Sequence, residues 1–297
     1  MKLLNKPLRY RLFVALLLLC LSAASLSSAK AHAGIRLSEE KPARGDAFLV
    51  SVEDESPTGR VWAELDGRKF PLRPSGDGAW KGFLAIDREE TPGKRTLRLF
   101  CGSGDKPSPL GSKEITVSDK KFPEQRLTVD ESKVTLSKED LERALREKEI
   151  ISAALGLRSE DIDWQPRWTT PLSGVHSSPF GLDRYYNGKR GSYHGGIDIA
   201  GAAGSEVKAS SGGRVALTGD FFYTGNTVFI DHGCGVISGY FHMQEIKVPE
   251  GKSVSAGETV GLVGSTGRST GPHLHFSTYV CGVKVDPDSV LRLTETP

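Results

Sequence analysis

Short patterns of histidine and aspartate near the C-terminus suit metal binding. His194 and Asp198 are four residues apart, and the glycines between them, Gly195 and Gly196, argue against a helix. In an extended segment, residues four apart point to the same side, so both side chains can reach one ion. This pattern therefore predicts an imidazole and a carboxylate bound to the same metal.

Two further patterns add imidazoles on strand-like runs. His273 and His275 are two residues apart, which places both side chains on one face of a strand. His242 ends the run that begins at Tyr240. Zinc binds imidazole nitrogen and carboxylate oxygen, and a catalytic zinc site uses three protein ligands and keeps a fourth position for water. The patterns together supply three ligands and two spare histidines.

Other polar and glycine-rich features of the same region have less specific interpretations. We expect His232 to be a hydrogen-bonded structural residue and His176 to be a loop residue near the groove. The glycine-rich run 264–271 lacks the lysine and helix of a phosphate-binding loop, so it is expected to be a flexible loop beside the groove. A groove lining and a solvated loop are both open for Tyr185, Tyr186 and Asn187.

Strands must position these residues, and strand-like runs are dense after residue 168. Glycine is frequent there, and short apolar runs alternate with turn residues. The predicted strands cover residues 206–209, 213–218, 227–231, 236–242, 259–263 and 273–280. Residues 169–297 are therefore predicted to form a β domain that carries the site.

Two regions precede this domain, so the chain is expected to be mainly β with a helical connector. Residues 34–118 alternate apolar and polar side chains between turn signals, which is typical of a small β-sandwich. Its tryptophans, Trp62 and Trp80, are expected to be core residues rather than a sugar-binding surface. Residues 119–168 are predicted to be a helical linker that either separates the two domains or docks across the second. Its helix is expected to begin after Ser137 and to end at Gly156.

The first 33 residues have the features of a secretory signal peptide. Lys2, Lys6, Arg9 and Arg11 precede an apolar run, and small residues follow it. Cleavage would export the protein to the periplasm, the cell envelope or the medium, whereas an uncleaved signal would anchor it to the membrane. Cleavage also removes five basic and no acidic side chains, which changes the formal charge from +2 to −3. This balance does not indicate nucleic-acid binding.

Export would place the remaining cysteines in a compartment where disulfides persist. Cys234 and Cys281 lie in the same predicted domain and could pair, which would leave Cys101 buried and inert. Three unpaired core cysteines are the other interpretation, and the sequence does not decide between them.

The motifs together resemble those of the lysostaphin/LytM-type peptidoglycan endopeptidases. The resemblance covers about residues 171–287 and depends on several motifs in the same order: His194 and Asp198, the run 178–181, the run 233–242, and His273 with His275. It implies a compact antiparallel β fold with a groove bounded by loops. It also implies that His194, Asp198 and His275 bind one zinc ion, while His242 and His273 stay off the metal and act on the substrate.

The resemblance also implies a function, a secreted zinc endopeptidase that hydrolyses crosslinks or stem peptides of peptidoglycan. Zinc lowers the pKa of bound water to about 7, and the two free histidines would share proton transfer and oxyanion stabilisation. The alternative is a catalytically silent regulator or wall-binding module that activates another hydrolase. A regulatory protein partner could bind through the N-terminal sandwich.

Overall fold

Alternating apolar side chains build the N-terminal sheet in the computed structural model, which describes residues 34–53, 57, 59–103, 107–160, 162 and 168–293. The predicted signal peptide lies outside the described residues. The sheet has seven strands: β1 Gly34–Leu37, β2 Ala47–Glu53, β3 Arg60–Leu65, β4 Arg68–Pro74, β5 Trp80–Ala85, β6 Gly93–Gly102 and β7 Ser108–Val117. They are antiparallel and have the order β1-β2-β5-β4-β3-β6-β7.

This sheet folds over on itself, so its two halves enclose one core, as in the predicted β-sandwich, and its edge strands β1 and β7 come together. Lys113 Nζ on β7 donates to the carbonyl oxygen of Ile35 on β1 at 3.4 Å. Phe48, Phe70 and Leu99 are fully buried between the two halves of the sheet. Burying large apolar side chains is the main free-energy gain of such a small domain.

The two tryptophans of the sandwich differ in position. Trp80 packs against the core, as predicted. The prediction for Trp62 is wrong, because Trp62 alternates with the buried Val61 and Ala63 and so lies on the outer face of β3. There its ring stacks on Phe100, with ring centroids 5.8 Å apart.

The connector contains one strand and one long helix. Strand β8, Glu124–Leu127, is followed by a 3-10 turn, Glu131–Lys133, and by helix α1, Lys138–Leu155. The helix begins and ends where the sequence predicts: Ser137 Oγ accepts a hydrogen bond from the Asp140 backbone N–H at 3.0 Å, and Gly156 is the C-cap.

The C-terminal region forms an eight-stranded sheet with two smaller sheets beside it. Its strands are β9 His176–Ser178, β10 Asp183–Tyr186, β11 Lys189–Arg190, β12 Ile197–Ala200, β13 Glu206–Lys208, β14 Gly213–Phe221, β15 Gly225–Asp231, β16 Val236–Met243, β17 Glu245–Ile246, β18 Ser253–Val254, β19 Thr259–Leu262, β20 His273–Val280 and β21 Val283–Val285. The main sheet has the order β18-β14-β15-β16-β20-β12-β9, and β21 also pairs with β20. The smaller sheets are β13-β19-β17 and β11-β10-β8. The short helix α2, Pro287–Arg292, follows the last strand.

Direct hydrogen bonds join the sandwich to the C-terminal region. The Asp286 N–H donates to the Gly45 carbonyl oxygen at 2.7 Å, and the Ala47 N–H donates to Ser289 Oγ at 2.9 Å. The sandwich, the connector and the C-terminal region belong to one compact unit. The domain boundaries at residues 118 and 168 stay a prediction.

All three cysteines of the described part, Cys101, Cys234 and Cys281, are free thiols. Within the residues that the structure describes, no helix is both long and apolar enough to cross a membrane.

Candidate metal centre and catalytic groove

Strands β12 and β20 bring Asp198 and His275 together. The strands are antiparallel, and the two residues are register partners. Ile197 and Ile199 on either side of Asp198 are fully buried in the core, so the alternation of the strand turns the carboxylate to the opposite face. His194 lies before β12 rather than on it, so only the last two residues of the predicted extended segment, Ile197 and Asp198, are on a strand.

Gly196 allows the backbone before β12 to pass close to β20. A Cβ atom at this position would lie 2.2 Å from the Phe276 carbonyl oxygen and 2.8 Å from His275 Nε2. Only glycine therefore fits here, and this close approach carries His194 to the same place as His275.

Three ligand atoms converge at this point. His194 Nε2 lies 2.8 Å from Asp198 Oδ1 and 2.9 Å from His275 Nδ1, and His275 Nδ1 lies 2.7 Å from Asp198 Oδ1. All three side chains are buried. The structure thus brings together the three residues that the sequence predicts as metal ligands.

Hydrogen bonds outside the cluster determine which ring nitrogens carry protons. His194 Nδ1 lies 2.6 Å from the Pro179 carbonyl oxygen, which only accepts, so the proton of a neutral His194 is on Nδ1. Ser277 Oγ donates to the Gly195 carbonyl oxygen at 2.9 Å, so its contact with His275 Nε2, also at 2.9 Å, is accepted from that ring. The proton of a neutral His275 is therefore on Nε2.

This proton assignment leaves lone pairs on His194 Nε2 and His275 Nδ1, both facing an oxygen of Asp198. Three acceptors within 3 Å of one another have no proton between them, and a cation at their centre would satisfy all three. Two imidazole nitrogens and a carboxylate oxygen form a donor set that suits a divalent ion such as zinc. The residues present therefore fit a bound metal.

The ionisation of His275 agrees with this interpretation. Burial lowers the pKa of His275 to about 3. The ring is therefore neutral at neutral pH, which is the form in which an imidazole binds a metal.

His242 lies beside the cluster in a strained backbone conformation. Its φ is 62°, a region that non-glycine residues rarely adopt. Its Nδ1 donates to the Thr266 carbonyl oxygen at 2.8 Å, so a neutral ring has its lone pair on Nε2. Burial, with the neighbouring His273, lowers the pKa of His242 to about 4. The side chain is therefore a neutral proton acceptor at pH 7.

His273 completes the group of histidines, with its ring centroid 4.9 Å from that of His242. Its Nδ1 donates to the Gly271 carbonyl oxygen at 2.8 Å, and its Nε2 lies 3.7 Å from Asp198 Oδ1. His273 thus presents Nε2 toward the cluster, and the ring centroid of His242 lies 6.0 Å from that of His275. The Nδ1 protons of His242 and His273 are held by the glycine-rich run 264–271, which confirms that this run lies beside the groove.

Arg184 is not among the site residues that the sequence predicts, and its Nη2 donates to Asp198 Oδ2 at 2.7 Å. Arg184 Nε also donates to Gln125 Oε1 at 2.8 Å, and Gln125 Nε2 donates to Ser178 Oγ at 3.1 Å. No spacing pattern links these residues, because Gln125 is on β8 in the connector, and β8 pairs in parallel with β10.

The remaining candidates lie away from the cluster. His232 is buried, and its ring nitrogens contact the Gly212 carbonyl oxygen at 2.7 Å and Ser238 Oγ at 2.8 Å, as expected for a structural histidine. His176 is exposed on β9, so the prediction that it is in a loop is wrong.

The run at residues 185–187 lies on and just after β10. Tyr186 is buried and lines the cavity, where Arg268 stacks on its ring at 4.0 Å. Asn187 is a turn residue whose side-chain amide exchanges two hydrogen bonds with the backbone of Val129, each 3.0 Å long. Of the two interpretations left open, a groove lining therefore applies to Tyr186.

A cavity of about 720 Å³ opens above the cluster. His242, His275 and Arg184 form its polar end. Phe229, Phe241 and Tyr279 form an aromatic surface that continues from His275, and Phe241 stacks on the His275 ring with centroids 5.3 Å apart. The cavity thus has a polar end at the metal ligands and an apolar end beside them.

Helix α1 forms the opposite wall of this cavity, so the connector docks across the C-terminal region. Glu147 Oε2 accepts from the Phe222 N–H at 2.7 Å, and Arg143 Nη2 donates to the Asp220 carbonyl oxygen at 2.9 Å. Ile151 and Leu155 pack against the aromatic surface. Part of the helix stays exposed, including Leu141 and Leu145.

Comparison with known proteins agrees with this geometry. Residues 192–287 match the model of peptidase family M23. Over 114 residues the chain is 43% identical to the DD-carboxypeptidase/endopeptidase Mpg of Neisseria meningitidis serogroup B, covering 38% of this chain and 26% of that protein. Over 98 residues it is 43% identical to the peptidoglycan DD-endopeptidase ShyA of Vibrio cholerae serotype O1, covering 33% of this chain and 23% of that protein. The chain spans about a quarter of the length of these relatives.

A solved structure extends the similarity to the N-terminal sandwich and the connector. A crystal structure of a Pseudomonas aeruginosa protein assigned to peptidase M23 is 30% identical, with a TM-score of 0.67, and the likeness covers 84% of this chain and 95% of that one. The expected resemblance to the lysostaphin/LytM-type enzymes is confirmed at the level of the family. The chain belongs to peptidase family M23.

Proposed function

We propose that this protein is a zinc-dependent endopeptidase that hydrolyses peptide bonds of peptidoglycan. The observation that carries the proposal is the convergence of three unprotonated donor atoms, on His194, Asp198 and His275. The ring of His242 lies beside them, with its centroid 6.0 Å from that of His275. Two relatives named as peptidoglycan or DD-type endopeptidases support the substrate class.

His194, Asp198 and His275 would hold the zinc ion. A bound zinc ion supplies Lewis-acid chemistry, by polarising the scissile carbonyl and lowering the pKa of water. The hydrogen bonds from His194 Nδ1 to Pro179 and from His275 Nε2 to Ser277 keep both rings in the tautomer that offers a lone pair.

His242 is the proposed proton acceptor. Its Nδ1–H is held by the Thr266 carbonyl oxygen, and burial keeps the ring neutral, so Nε2 can take a proton from the attacking water and return it to the leaving amine. His273, when protonated, can donate from Nε2 to the oxyanion that forms on the carbonyl carbon. The apolar end of the cavity would hold aliphatic parts of the peptide.

Export is part of the proposal, since peptidoglycan lies outside the cytoplasm and residues 1–33 have the features of a signal peptide. Fractionation of the native host, with mass spectrometry of the N-terminus, should find the chain outside the cytoplasm and beginning near Gly34. A protein that keeps residue 1 and stays in the cytoplasm would contradict export.

The activity is tested on isolated sacculi. Zinc-loaded protein should release muropeptides that carry new amino and carboxyl termini, and mass spectrometry identifies the bond cut. A chelator should stop the release, and added zinc should restore it. His194→Ala should show no release, whereas the control His176→Ala, an exposed histidine outside the cluster, should act like the wild type. Equal cleavage by His194→Ala and the wild type would refute the proposal.

A further inference from the structure

We propose that Arg184 and Gln125 are positioning residues that hold Asp198 in the orientation needed for metal binding, and that the connector is therefore a structural part of the metal centre. This inference rests on the proposed function, because it assigns Asp198 to a bound ion. It extends the site beyond residues 192–287, which match the family model.

The two oxygens of Asp198 have separate partners. Oδ1 faces His194 Nε2 and His275 Nδ1, at 2.8 and 2.7 Å. Oδ2 accepts from Arg184 Nη2 at 2.7 Å. A charge-assisted hydrogen bond to one oxygen fixes the rotation of the carboxylate, so the other oxygen stays directed at the metal position. The Asp198 and Arg184 side chains are only 8% and 14% exposed, so water is a poor substitute for the guanidinium.

Gln125 fixes the guanidinium in turn. An arginine only donates hydrogen bonds, so the contact with Arg184 Nε at 2.8 Å must be to Gln125 Oε1. That leaves the Gln125 NH₂ group to donate to Ser178 Oγ at 3.1 Å. Both ends of the amide are therefore used, and its orientation follows from the chemistry of its partners.

Backbone pairing closes these contacts into a loop. Gln125 and Arg184 are register partners of the parallel pair β8 and β10, and Ser178 and Asp198 are register partners of β9 and β12. Side-chain contacts connect Asp198 through Arg184 and Gln125 to Ser178. The pairing of β9 with β12 then connects Ser178 back to Asp198. A change at Gln125 should therefore alter the orientation of Asp198, the metal ligand two contacts away.

The test measures metal binding rather than activity alone. Zinc affinity of the full chain is measured by competition with a chromogenic chelator, and the visible spectrum of the cobalt-substituted protein reports the ligand geometry. Outer hydrogen bonds of metal ligands are typically worth about 10- to 100-fold in affinity. We expect Arg184→Gln to weaken zinc binding by about 100-fold, and Gln125→Ala by about 10-fold, each with a changed cobalt spectrum.

Conservative variants and controls separate positioning from folding. Gln125→Glu keeps an acceptor for Arg184 Nε, so it should bind zinc more tightly than Gln125→Ala. Arg126→Ala, the next residue on β8, is the control: Arg126 is exposed and pairs with Glu124, so zinc affinity and the cobalt spectrum should not change. Circular dichroism should show all variants folded; if Arg184→Gln unfolds, Arg184→Lys replaces it, with an expected loss of at least 10-fold.

The outcomes separate this inference from the proposed function. Folded Arg184 and Gln125 variants with wild-type zinc affinity and an unchanged cobalt spectrum would overturn the positioning role while leaving the zinc peptidase intact. A wild-type chain that binds no zinc would overturn the proposed function itself. Graded losses in the two variants, with the Arg126 control unaffected, would support both.

Discussion

Ser277 Oγ accepts a hydrogen bond from His275 Nε2 at 2.9 Å and donates its own hydrogen bond to the Gly195 carbonyl oxygen, also at 2.9 Å. These two hydrogen bonds determine which nitrogen of His275 is available to bind a metal, although Ser277 is not one of the three ligands. The strand places Ser277 at this position, because Ser277 is two residues after His275 on β20 and lies on the same face.

Ser277→Ala should therefore weaken zinc binding without unfolding the protein. The variant removes the acceptor that keeps the proton on Nε2, and we expect about a 10-fold loss of zinc affinity, measured by chelator competition. Ser255→Ala, at an exposed position away from the groove, is the matched control and should leave the affinity unchanged. Equal affinities for the two variants would contradict the assigned tautomer.

His242→Ala should separate chemistry from metal binding. His242 offers a lone pair to the substrate and is not among the three ligands, so the variant should keep one zinc per chain while kcat falls by about 10²- to 10⁴-fold. Metal analysis and the muropeptide assay give both quantities from one preparation. Loss of zinc in this variant would mean that His242 supports the metal instead.

The two glycines between His194 and Asp198 should differ sharply in tolerance. A Cβ at Gly196 would lie 2.2 Å from the Phe276 carbonyl oxygen, whereas a Cβ at Gly195 would meet only the flexible Lys284 side chain, at 3.0 Å. Gly196→Ala should therefore abolish zinc binding or folding, and Gly195→Ala should bind zinc with an affinity within about threefold of the wild type. Calorimetric titration of both variants with zinc checks the difference.

Stability should fall in mild acid because His232 is buried as the neutral form. Burial lowers its pKa from 6.5 to about 4 in the folded state, so between these values the unfolded chain binds more protons than the folded one. The contribution of His232 is complete above pH 6.5 and declines as the pH falls toward 4. We expect the loss of this contribution to lower the free energy of unfolding by roughly 2 kcal/mol between pH 7.5 and 5.

Urea titrations of metal-free protein at the two pH values measure this effect. Other buried histidines also titrate, so the comparison is with His232→Gln, which should be less stable at pH 7.5 but should lose less stability on acidification. Identical pH dependence in the two proteins would exclude a role for His232.

Helix α1 offers neighbouring isoleucines for a test of its docking. Ile151 packs against the aromatic surface of the groove, whereas Ile150 is 49% exposed. Ile151→Ala should lower the free energy of unfolding by about 1–2 kcal/mol, and Ile150→Ala by less than about 0.5 kcal/mol. Denaturant titration measures both. Similar values for the two variants would show that the helix does not depend on this contact in solution.

Sequence patterns predicted what depends on local geometry. The two-residue period of a strand placed His273 and His275 on one face, and the N-cap Ser137 with Gly156 gave the bounds of helix α1. Predictions failed or were missing where distant segments meet. The pairing of β8 with β10, which brings Gln125 to Arg184, depends on packing between segments that no local period connects. The same limit applies to α1, since its amphipathic face did not indicate whether it would dock.

The most direct test of the proposed metal centre is anomalous diffraction at the zinc edge from a crystal of the zinc-loaded protein. We expect one strong peak per chain, about 2.0–2.2 Å from His194 Nε2, Asp198 Oδ1 and His275 Nδ1. Zinc bound elsewhere, or no peak at these three atoms when zinc is in excess, would contradict it.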